Sequence, residues 1–141
     1  MSFREKSAWI TLVSVLVCFT AYFVQLFRGM AGDRHFGSLA SLHLLLLSAV
    51  GLAGLHLGLT LIAAVTTPKD GRVLADEREQ RIQWRAQSLG YHVLMLQALA
   101  LFVPAFFGRR GVEMANFALL AVVIATLTVA VAQIVMFRRG V

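Results

Sequence analysis

The sequence predicts an all-α fold, a four-helix transmembrane bundle formed by a single integral membrane domain over residues 1–141. Three observations lead there. The chain is 59% hydrophobic and only 14% charged, whereas soluble domains carry roughly 45–50% apolar and about 25% charged residues. Four apolar stretches approach the roughly 20 residues that cross about 30 Å of hydrocarbon. None of the four contains Asp, Glu, Lys or Arg, so all 13 basic and 7 acidic residues fall outside them. This composition excludes a disordered chain. The stretches lack the period-two alternation of barrel strands.

The first span covers residues 9–27. Arg4 and Lys6 precede it and Arg28 follows. Its apolar run is longer than that of a signal peptide and no Ala-x-Ala cleavage site follows, so it reads as an uncleaved helix. The second span, residues 38–65, would reach about 42 Å, more than the hydrocarbon thickness. It must tilt or rest its first turn in the interface. Thr67-Pro68 closes it, because the residue before proline avoids helical dihedrals.

The segment from Asp76 to Ala86 holds no Gly or Pro, and its acidic residues precede its basic ones, as a helix dipole favours. It predicts an amphipathic cytoplasmic helix between spans two and three that runs on into span three. Glu77 and Arg81 are spaced as an i,i+4 ion pair. Ile82, Ala86 and Leu89 share one face, and Trp84 suits the membrane boundary. The plain role of this segment is a solvated extension of the span. The functional one is a docking surface for a protein partner, formed by Asp76, Glu77, Arg78, Arg81 and Arg85. Asp70, Asp76, Glu77 and Glu79 offset most of the basic residues here, which argues against a lipid electrostatic switch.

The third span covers residues 91–107, with Pro104 expected to kink its outer end. The fourth covers residues 117–137. The four are expected to pack as an up-down bundle. Basic residues set the orientation. Arg4, Lys6, Lys69, Arg72, Arg78, Arg81, Arg85, Arg138 and Arg139 fall on one side, against Arg28, Arg34, Arg109 and Arg110 on the other. Both termini are therefore expected in the cytoplasm of a multi-pass protein of the cell membrane, with the loops around Asp33 and Glu113 outside.

Few groups carry chemistry. Cys18 is the single cysteine. It can form no internal disulfide and reads as a small buried hydrophobe. The net charge of +6 follows the topogenic pattern rather than a nucleic-acid footprint. Phosphate-binding glycine loops, HExxH and nucleophile–base patterns are missing, so no catalytic chemistry and no metal site is expected.

Polar groups inside the spans mark function by default. His56 on span two and His92 on span three lie at similar depth and are candidate axial ligands for one haem b. Gly51, Gly54 and Gly58 would leave room for a flat macrocycle. Against this, His56 lies about 160° around the helix from Gly58. Alternatively His92 sits at the interface, and His56 hydrogen-bonds Gln97 or a backbone carbonyl. Gly54 and Gly58 form a GxxxG spacing, which permits close backbone approach, either to another helix of the bundle or to the same helix of a second copy. Gln25, Gln97 and Gln133 read as hydrogen-bonding glue between helices. No span holds a carboxylate or lysine, which weighs against proton-coupled transport, although Gln97 and His56 would suit a polar path.

The run Asp76-Glu77-Arg78-Glu79, followed by Ile82, Arg85-Ala86 and Gly90-Tyr91, resembles a signature in a family of small prokaryotic four-helix membrane proteins catalogued as a domain of unknown function. The resemblance covers this segment and the layout of two spans on either side. It implies topology and no activity. Some members look encoded beside small helix-turn-helix regulators, which implies a regulatory role, and no binding residues carry over. The reading is a non-enzymatic multi-pass membrane protein that acts through assembly or regulation of a partner, as a homo-oligomer or with a cytoplasmic protein. The alternatives are a small b-type haem electron carrier using His56 and His92, or a small channel or transporter.

Overall fold

The computed structural model describes residues 3–32, 38–66, 77–108 and 111–139. All are helical apart from the short turns that flank one small helix. In chain order they form α1 (Phe3–Gly32), α2 (Ser38–Thr66), α3 (Glu77–Ala100), α4 (Phe102–Phe106) and α5 (Gly111–Arg139). Four helices are long and apolar enough to cross a membrane: α1, α2, α3 together with α4, and α5. Asp76, the segment containing Lys69, Asp70 and Arg72, and the loop around Asp33 lie outside the described residues.

The helices outrun the apolar stretches because the flanking residues are themselves good helix formers. Arg4, Glu5 and Lys6 continue α1 toward its start, and the Glu77–Arg85 run makes the first two turns of α3. Glu77 and Glu79 sit in the first turn of α3, and Glu113 in that of α5. Arg138 and Arg139 close α5. Each charge complements the local end of the helix dipole.

Pro104 does interrupt span three, but one turn before itself. A proline nitrogen cannot donate to the carbonyl four residues back, here that of Ala100, and α3 ends at that residue. Leu101 keeps right-handed helical dihedrals, φ −63° and ψ −22°. Its N–H still bonds the Gln97 carbonyl at 3.0 Å, and α4 follows directly. Gly108, at φ +68°, then ends the helix in the left-handed conformation that glycine adopts without strain.

Neighbouring helices do not follow chain order. α1 packs on α2 and on α5, and α5 packs on α3. The spatial order is α2–α1–α5–α3, so α1 and α5 are the inner pair and α2 and α3 the outer ones. The start of α1 lies beside the start of α3 and the end of α5. α2 and α3 make no extensive contact with each other.

The reason is visible at the α3–α5 contact. Ile82, Ala86 and Gly90 are the buried residues of α3, and Ala121, Val123, Ala125, Ala130 and Ile134 those of α5. Ala86 is fully buried. A Cβ on Gly90 would overlap the Val129 side chain and come within 3.4 Å of the Ala125 carbonyl oxygen. Ala86-x-x-x-Gly90 is therefore a small-residue spacing that lets two backbones meet. Leu89, expected on this face, is 47% exposed, and Gly90 takes its place.

Candidate functional site

At the end where α1 and α3 start, charges tie three helices together. Arg4 on α1 donates to the Gln83 side-chain oxygen at 3.0 Å and pairs with Glu79 at 3.4 Å, both on α3. Glu5 on α1 pairs with Arg138 on α5 at 3.9 Å, and the Arg138 guanidinium lies 5.5 Å from the centre of the Trp9 ring. Each contact is weak where exposed. Together they fix which flank of α3 faces the other helices.

The charged residues at the start of α3 divide accordingly. Glu79 turns toward Arg4, while Glu77, Arg78, Arg81 and Arg85 are all exposed. Glu77 and Arg81 form the expected i,i+4 pair at 3.4 Å. Arg78 and Arg85 make no hydrogen bond or ion pair among the described residues. Trp84 beside them is 70% exposed. Asp76 lies outside the described residues.

The two candidate haem ligands are not brought together. His56 faces α1, where its Nδ1 lies 3.3 Å from the hydroxyl of the fully buried Ser14. That hydroxyl donates its one hydrogen to the Ile10 carbonyl at 2.6 Å, so it accepts from His56 Nδ1–H. His92 is exposed on α3, and its Nδ1–H donates to the Ser88 carbonyl one turn back at 2.6 Å. In each ring Nε2 is left as the acceptor, but α2 and α3 stand at opposite ends of the row. Among the described residues there is no cluster of three or more His, Cys, Asp or Glu side chains suited to a metal.

Gln97 is not the partner of His56, as one expectation had it. Its Oε1 is buried with no hydrogen-bond partner among the described residues. It lines a cavity of about 590 Å³ with Pro104, Phe107, Phe117 and Ile124, between the end of α3, α4 and α5. A second cavity of about 540 Å³ lies between α1 and α5, walled by Phe19, Phe23, Phe27 and Phe117. His56 lines neither cavity, so Gln97 and His56 share no polar path there. Tyr22, buried on α1, donates to Asn116 Oδ1 on α5 at 2.6 Å. Neither this bond nor the Ser14 contact was evident in the sequence, because a lone Ser or Tyr in an apolar run has no spacing that announces its partner.

The glycines of α2 are the other surprise. A Cβ on Gly51, Gly54 or Gly58 would meet nothing within 4 Å. Among the described residues no helix occupies their face. Around them Leu47, Val50, Leu61, Ile62 and Val65 are each more than 60% exposed. No protein-family model matches the chain, and no curated protein and no solved structure matches it either.

Proposed function

We propose that this chain is a multi-pass protein of the cell membrane, with both termini in the cytoplasm, that works by assembling with other proteins and not by catalysis. One observation carries the reading. The Gly54–Gly58 spacing of α2 has no neighbour among the described residues, while the equivalent spacing of α3 is filled by α5. Close-approach glycines weaken helices relative to alanine by about 1 kcal/mol each, and within one copy those of α2 return no packing for that cost. A second copy, presenting the same face of α2, is the occupant that best fits, because a glycine face is self-complementary about a two-fold axis.

The charge distribution supports the orientation. The end that gathers Arg4, Arg78, Arg81, Arg85, Arg138 and Arg139 is the cytoplasmic one by the positive-inside rule. Regulation of a partner, as the likeness of the Asp76–Tyr91 run to a family of small membrane proteins implies, is compatible with such an assembly.

The experiment is self-association of the full chain in nanodiscs or mild detergent, read by resonance energy transfer between differently labelled copies. The wild type is expected to associate, and Gly54→Leu with Gly58→Leu to lose the signal while keeping its helix content. Equal transfer in both proteins refutes the reading.

A further inference from the structure

We propose that Arg78, Arg81 and Arg85 form a binding site for the phosphate headgroups of anionic phospholipids in the leaflet at that end. The inference rests on the membrane residence proposed above and assigns an occupant to the exposed face of α3.

At 3.6 residues per turn the three arginines fall within about 60° of one another around α3, along about 10 Å of its length. They form one stripe and not a scattered set. All three are exposed, and Arg78 and Arg85 have no acidic partner among the described residues. Glu79, which the sequence placed among the charges offsetting this segment, is held on another flank by Arg4. Glu77 remains near the stripe and pairs with Arg81 at 3.4 Å, but both side chains are more than 70% exposed, so water screens the pair.

The stripe is also at the right height. Toward the middle of α3 the same line continues through Ser88 and His92, beyond which Gln97, on another flank, is the one polar side chain of the helix. Trp84 and Tyr91, 70% and 60% exposed, bracket Arg85 with the two aromatic types that favour the headgroup level. On α1 and α5, Trp9 and Arg138 stack at this same end. Guanidinium groups bind phosphate oxygens with two parallel N–H donors, and they do so at a membrane surface that already attracts positive charge. An acidic protein offers the same charge. The lipid is favoured because the stripe runs along the side of a spanning helix into its apolar part, where headgroups lie and a soluble protein does not reach.

The test is native mass spectrometry of the full chain in mixed micelles of phosphatidylglycerol and phosphatidylcholine. The wild type should retain the anionic lipid preferentially, and each Arg→Gln change at 78, 81 and 85 should lower that preference about fivefold. The triple Arg→Lys variant should lower it less, and Arg28→Gln, at the other end of α1, not at all. Equal retention of the two lipids, or an unchanged preference in the triple Gln variant, overturns the site. Displacement of phosphatidylglycerol by excess inorganic phosphate would show a free-anion site and also overturn it. Orientation is read apart from this. Gln87→Cys in a Cys18→Ala background should react with an impermeant maleimide only in opened cells. Reaction in intact cells would refute the cytoplasmic reading, while the micelle experiment still decides the lipid site.

Discussion

α2 and α3 carry the same kind of packing motif and use it differently. In α3, Gly90 lies so close to Ala125 and Val129 that no side chain fits there, and Ala86 one turn before it is fully buried. In α2, a Cβ at Gly54 or Gly58 would meet nothing within 4 Å among the described residues. The more conspicuous motif, with two glycines in a leucine-rich helix, is the one left unfilled. A small-residue spacing therefore reports how closely a backbone can be approached. Which neighbour takes up the offer depends on the rest of the helix surface. On α3 that is the Ile82 contact above the motif and the Arg4–Glu79 pair that sets its rotation.

The contrast can be broken most forcefully at Gly90. Gly90→Leu forces a side chain into Val129, and overpacking of this kind costs up to about 3 kcal/mol. Unfolding of the variant by detergent titration should shift by that amount. Gly54→Leu and Gly58→Leu should leave the same titration within about 0.5 kcal/mol, as substitutions on an uncontacted surface do. Their effect belongs to association between copies. A large loss of stability in the α2 variants, or none in Gly90→Leu, would reverse the assignment of the two motifs.

Smaller effects sharpen the picture of inner against outer helices. Tyr22→Phe removes the bond to Asn116 across the α1–α5 seam and should cost about 0.6–2 kcal/mol in the same assay. Ser14→Ala removes the acceptor for His56 Nδ1–H at the α1–α2 contact. It should cost about 0.6 kcal/mol and free the imidazole tautomer, which nitrogen-15 chemical shifts of the ring would register. At the smallest end, Glu77→Gln breaks only an exposed i,i+4 pair and should change stability by about 0.3–0.5 kcal/mol at low salt, and by nothing measurable at high salt. The separation of His56 from His92 adds a spectroscopic expectation. The purified protein should show no Soret band, before or after reduction with dithionite, and a band that vanished in His56→Ala would restore the haem alternative.

The spans were legible because they depend only on length and apolarity. Residues 9–27, 38–65 and 117–137 all fall inside observed helices, and α2 stops at Thr66, next to the Thr67-Pro68 signal. Neighbour relations were not legible, for the physical reason that spanning helices are apolar on every side. In water, Leu89 would be a better core residue than Gly90. In a bilayer leucine is as content facing lipid, and the closest packing goes to the smallest residue. The same ambiguity hid Ser14 and Asn116. The docking run Glu77–Arg85 was legible as charge, but the removal of Glu79 from its face followed only from the position of Arg4 on another helix.

The row α2–α1–α5–α3 has a consequence for the order in which the protein is made. It consists of two hairpins, α1–α2 and α3–α5, joined along one α1–α5 seam. Ribosomes deliver the first hairpin before the second exists. During that interval the Tyr22 hydroxyl of α1 lacks its acceptor, and Asn116, near the start of the last helix, is the group that ends the wait. The seam closes last, so the two halves, synthesised as separate chains in one membrane, should find each other and rebuild the whole.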